Sequence, residues 1–116
     1  MRQHLQALGR LPAGRMNKTE ARYSALLEQR RMAGEVAWWA FEGITLKLAH
    51  DCRLTPDFAV MLADGRLELH DVKGSARVFT DDAKAKMRVA ARQFPIPIFV
   101  ATPSRSGGFD VQEIPA

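Results

Sequence analysis

The stretch Thr55 to Gly74, TPDFAVMLADGRLELHDVKG, decides how this chain folds. Two apolar, β-prone runs, Phe58 to Leu62 and Leu67 to Val72, flank Ala63-Asp64-Gly65 in the pattern of a β-hairpin. Its polar residues are unusual for a hairpin. Asp57 opens the first strand, while Asp71 and Lys73 close the second at a spacing of two, which puts both on one face. Loop length decides whether Asp57 joins them. A two-residue Asp64-Gly65 turn pairs position 57 with 72 and sends Asp57 to the opposite face. A three-residue loop, Ala63 to Gly65, pairs 57 with 71 and gives Gly65 the left-handed position such loops need. Local sequence allows both registers, and the chemistry of the residues brought together favours the second.

Two carboxylates beside a lysine suit phosphoryl chemistry. Hard oxygen ligands on adjacent strands bind Mg²⁺ and leave room for water and a phosphate oxygen. Such an ion offsets the repulsion between the acids and neutralises charge developing on phosphorus. Lys73 is placed to position or deprotonate the attacking water, or to stabilise the transition-state charge.

Pro56-Asp57, thirteen residues, then Asp71-Val72-Lys73 resembles the PD-(D/E)XK nuclease motif. Its neighbours narrow the likeness: NKTEARY at 17–23, WAFEGITLKLA at 39–49, TPDF at 55–58, HDVKG at 70–74 and DDAKAKMRVAARQFP at 81–95. In this order they resemble a family of small phage and prophage proteins grouped with endonuclease I-type, Holliday-junction-resolving nucleases of DNA recombination. The likeness covers residues 17–102. It implies a restriction-endonuclease-like α/β core and a Mg²⁺-dependent endonuclease, with Mn²⁺ as substitute, that leaves 5′-phosphate and 3′-hydroxyl ends on DNA. It also implies that Asp57 and Asp71 ligate metal, with the Val72 carbonyl and Glu20 as further ligands, and that Lys73 is catalytic. A homodimer presenting two active sites fits branched substrates.

Composition sets the bounds. The 116 residues make one domain with a single core, and the net charge of +4 favours a polyanionic partner. Cys52 is the only cysteine, so no intramolecular disulfide and no multi-cysteine zinc site can form. No stretch has the roughly 18 consecutive apolar residues of a membrane span, and the start of the chain lacks a signal-peptide core. The expectation is a cytoplasmic protein of a bacterial host cell. His4, His50 and His70 are isolated, and Ser24, Ser75 and Thr55 lack the histidine partnership of a nucleophile.

Residues 1–16 read as a basic arm carrying Arg2, Arg10 and Arg15, and 17–116 as the nuclease-like domain. Asn17 to Ala33 reads as a helix with Ala25, Leu26 and Met32, and parts of Tyr23 and Leu27, as its buried stripe. Glu20 has two readings: the capping-box partner of Asn17, or a third acid for the metal. Glu35 to Leu48 reads as strand with a bend or bulge at Gly43, and His50 to Arg53 as a polar turn. Trp38 and Trp39 can stack bases, though tryptophans in such a strand are usually core or interface residues. A second helix starts at Thr80 or Asp81 and runs to Phe94, with Ala83, Met87, Ala90, Ala91 and Phe94 apolar. Lys84, Lys86, Arg88 and loop residue Arg77 are the DNA-backbone candidates, Lys86 first because its position is retained in the resembled family. Ile96 to Thr102, an edge or strand start because of Pro97, and Phe109 to Ile114 complete a mixed sheet flanked by helices, in the order α-β-β-β-α-β-β.

Two rival readings stand beside the enzyme: a non-catalytic nucleic-acid-binding module on a nuclease-like fold, and a phage assembly protein whose acids and lysine form surface ion pairs. Clustered carboxylates repel phosphate, which counts against the first. Exposed pairs contribute only about 0–1 kcal/mol, which counts against the second.

Overall fold

Asn17 and Glu20 cap each other's backbone: the Glu20 N–H donates to Asn17 Oδ1 at 2.8 Å, and the Asn17 N–H donates to Glu20 Oε1 at 2.9 Å. This starts α1 (Lys18–Met32) in the computed structural model, which describes residues 15–75 and 80–116. The strands are β1 (Val36–Phe41), β2 (Leu46–Ala49), β3 (Cys52–Leu54), β4 (Phe58–Leu62), β5 (Leu67–Val72), β6 (Ile98–Pro103) and β7 (Phe109–Glu113), with α2 (Asp81–Gln93) between β5 and β6. The result is a mixed α+β fold with a five-stranded sheet, β1-β4-β5-β6-β7, and a separate two-stranded β2-β3 sheet. The order of elements differs from the expected α-β-β-β-α-β-β. Glu35 to Leu48 is two strands, not one, and His50-Asp51 is the tip of a second hairpin whose return strand contains Arg53. The break falls where Glu42 takes a left-handed φ of +52°, and a Cβ on Gly43 would lie 2.9 Å from the Ala40 Cβ.

The central hairpin adopts the three-residue register. Phe58 pairs with His70 and Met61 with Leu67, so position 57 opposes 71. Gly65 supplies the positive φ, +92°, and its N–H donates to the Leu62 carbonyl at 2.9 Å. β5 and β6 run parallel, which requires a crossover, and α2 provides it. β6 lies between β5 and β7, so Pro97 precedes an interior strand and not an edge.

Alternation along β4 and β5 builds two cores. Phe58, Val60 and Val72 pack with Tyr23 and Leu27 of α1 on one face. Ala59 and Leu69 pack on the other with Ala90 of α2 and with Leu46 and Leu48 of β2. Burying each large side chain contributes about 1.5–3 kcal/mol. The α1 stripe agrees with expectation at Tyr23 and Leu27, which are buried, and at Leu26, which packs against the core, but Ala25 is exposed and Met32 is 74% exposed. Residues 23 and 27 are four apart and share a helix face, whereas 25 and 32 lie well around the helix from it. Trp39 packs at the edge of that core and donates to Glu28 Oε1 at 3.0 Å, while Trp38 is exposed.

Candidate active site

Asp57 and Asp71 meet because the β4–β5 register puts them opposite each other on the α2 side of the sheet. Backbone groups fix both. The Val72 N–H donates to Asp57 Oδ2 at 2.8 Å, and the Asp57 N–H donates to Asp71 Oδ1 at 3.2 Å. The Asp57 carbonyl accepts from the Glu42 N–H at 2.7 Å, tying the end of β1 to the start of β4. The Lys73 N–H donates to the Ala101 carbonyl at 2.9 Å, while its Nζ lies 2.8 Å from Asp71 Oδ2. Both aspartates are buried, at 9% and 6% exposure, which is rare for carboxylates outside functional sites or ion pairs. Burial first, and then the Asp71 charge, push the Asp57 carboxyl up to about 8; the Val72 N–H opposes the shift and the Glu20 charge adds to it.

These residues face a cleft of about 510 Å³ lined also by Asn17, Glu20, Thr55, Arg15, Arg53 and Lys86. Its cations thus come from four places: the chain just before α1, β3, the end of β5 and α2. Glu20 lines the cleft while its carboxylate remains in the capping box. Among the described residues no three His, Cys, Asp or Glu side chains come together as a metal-holding group, so the donor set at hand is Asp57 with Asp71.

The basic candidates on α2 divide. Lys86 faces the carboxylate cleft, whereas Lys84 and Arg88, four residues apart, line a separate cleft of about 240 Å³ against β6 and β7. They do not form one clamp with Lys86. Arg77 lies outside the described residues, as do Arg2 and Arg10 of the arm. Arg53 was missed because its segment reads as a polar turn; the signal for it is the Leu46-Lys47-Leu48 alternation repeated in Cys52-Arg53-Leu54.

His70 points away from this site, into the α1 core. Its Nδ1 and the Tyr23 hydroxyl are 2.6 Å apart, and its Nε2 is 2.9 Å from Glu68 Oε1. The Glu68 carboxylate only accepts, so Nε2 carries the proton and the Tyr23 hydroxyl donates to Nδ1. Burial raises the Tyr23 hydroxyl to about 12 and lowers the His70 pKa. Both are structural groups.

Among the described residues no helix is long and apolar enough to cross a membrane. Comparison with known proteins finds no matching family model, no matching curated protein and no matching solved structure.

Proposed function

We propose that the protein is a divalent-metal-dependent DNA endonuclease of phage or prophage origin, acting on branched DNA such as Holliday junctions. The observation that carries this reading is the pair of buried carboxylates, Asp57 and Asp71, opposed across two strands with Lys73 Nζ 2.8 Å from Asp71 in a cation-lined cleft. Two acids buried side by side destabilise a fold unless something else neutralises them. One ammonium is a partial answer, and a cation held between them completes it.

The donor set fits Mg²⁺ or Mn²⁺, since a Mg²⁺ site uses one or two carboxylates and leaves the rest of its shell to water and substrate phosphate. Asp57 and Asp71 would hold the ion, with the Val72 carbonyl as a further oxygen. Bound there, it supplies charge neutralisation and Lewis-acid polarisation of the phosphodiester. The chain's own residues do the rest. The Val72 N–H holds Asp57 in its rotamer, and Asp71 holds the Lys73 ammonium at the reacting phosphate, where it orients water or stabilises developing charge. Lys86, on the facing helix, grips a phosphate in the same cleft.

The test incubates the purified protein with linear, branched and four-way-junction DNA, with and without Mg²⁺. Cleavage should need the metal, and Asp71→Ala or Lys73→Ala should remove it while DNA affinity stays within a few-fold. Either variant cutting at the wild-type rate would overturn the assigned roles. Metal-independent binding with no cleavage of any substrate would favour the non-catalytic module.

A further inference from the structure

We infer that the β2–β3 hairpin is a DNA-binding wing, whose outward pair Lys47 and Arg53 follows the sugar–phosphate backbone of duplex DNA out of the carboxylate cleft. The inference rests on the nuclease reading above and adds a surface to it.

The antiparallel register sets Lys47 directly opposite Arg53, and both are exposed. Cross-strand partners stand about 4.5–5.5 Å apart at Cβ, and like charges there destabilise a hairpin. Among the described residues neither side chain has an acidic partner. Arg30, Arg31 and Arg66 do pair, with Glu35, Glu28 and Asp64, whereas the exposed Arg88, Arg92 and Arg105 have no acidic partner among the described residues either. A two-stranded ribbon has little stability to spare, so two facing cations call for a compensating anion.

The opposite face of the ribbon explains how it bears the repulsion. Leu46 and Leu48 are buried in the α2-side core, and the Thr45 and Thr55 hydroxyls, 2.7 Å apart, join its base to the chain entering β4. The ribbon is therefore held rigidly beside the cleft, and Arg53 lines that cleft together with Arg15 and Lys86. A row of cations running outward from a phosphodiester-cleaving site is complementary to the phosphates next to the one being cut.

The experiment measures binding of the whole chain to a short DNA duplex in chelator, so that nothing is cut, over a series of salt concentrations. Each lost phosphate contact flattens the log–log salt slope by about 0.9, so the Lys47→Gln/Arg53→Gln double variant should flatten it by about 2 and weaken binding about tenfold or more. A single Lys47→Glu variant provides the second arm. It faces Arg53 with an acid, so it should raise the thermal midpoint of the free protein while weakening its DNA binding. Arg66→Gln, at the far end of the β4–β5 hairpin, should do neither to binding. Wild-type binding with unchanged slope and affinity in the double variant and in Lys47→Glu overturns the wing alone. A wild-type chain that binds neither the duplex nor a four-way junction, in chelator or in Ca²⁺, removes the nuclease reading and the wing with it.

Discussion

Burial and the neighbouring Asp71 charge raise the Asp57 carboxyl from 3.8 to about 8, so the fold favours its protonated form. Between those values the folded chain holds a proton that the unfolded chain has released, and stability must fall as pH rises. His70 works in the opposite sense, because burial lowers its pKa from 6.5 and its protonation costs stability on the acid side. The Asp57 effect is therefore read above about pH 6.5. In chelator the thermal midpoint should drop between about pH 6.5 and 8.5, Mg²⁺ should shrink the drop, and Asp57→Asn should flatten it. Equal slopes for wild type and variant would assign the titration to another group. Glu20 invites a sharper substitution. Glutamine keeps the capping-box acceptor but loses the charge, so Glu20→Gln preserves a cap contributing about 1 kcal/mol. With its carboxylate occupied at Asn17, the variant should cut within a few-fold of wild type, whereas Asp57→Asn should not cut. A loss of about a hundredfold or more in Glu20→Gln, with the fold intact by circular dichroism, would make Glu20 a member of the acidic set after all.

At the scale of elements, α2 separates roles that its sequence blends. Residues 83, 86 and 87 turn toward the carboxylate cleft and 84 and 88 toward the other flank, as a 3.6-residue repeat requires. Lys86→Gln should lower the cleavage rate by about 10–100-fold, while Arg88→Gln should leave it within about twofold; single-turnover rates compare them directly, and equal losses would move the substrate across both flanks. The central hairpin was legible because the chemistry of Asp57, Asp71 and Lys73 chose between two registers that its loop sequence allowed alike, and Gly65 takes the positive φ that the chosen register needs. The β2–β3 hairpin was not. Strands of four and three residues offer too few alternations to separate them from a turn, and what holds them straight is Leu46 and Leu48 packing on a helix some forty residues later. The α1 stripe was legible only in part for a related reason: Tyr23, Leu26 and Leu27 pack inward as read, but Ala25 and Met32 offer apolar atoms on other sides, and only the sheet decides which face is buried. The site residues Asp57, Asp71 and Lys73 sit within one hairpin and could be read locally, whereas Arg53 reaches them only through tertiary packing.

At the scale of the whole molecule, each chain carries one set of Asp57, Asp71 and Lys73, and under the proposed nuclease reading one such set would cut one strand. Cutting both strands of a junction or a duplex in one encounter would need two sets, which a homodimer would provide. Among the described residues the five-stranded sheet ends at β1 and β7 with no further strand paired to them, and Trp38 and Val111 are each 43% exposed on these strands, so a second copy has surfaces on which it can seat. Strand-by-strand kinetics test the proposal without assuming which edge is used. On supercoiled plasmid the first cut relaxes the circle and the second makes it linear, and the two products separate on a gel. If paired sets act together, linear product should rise with protein concentration more steeply than nicked product, and should overtake it at concentrations where sedimentation finds dimers. A chain that remains monomeric and yields linear product in strict proportion to nicked circles would be cutting the strands in independent encounters, and the paired-site arrangement would fall while the single-strand chemistry at Asp57 and Asp71 stood.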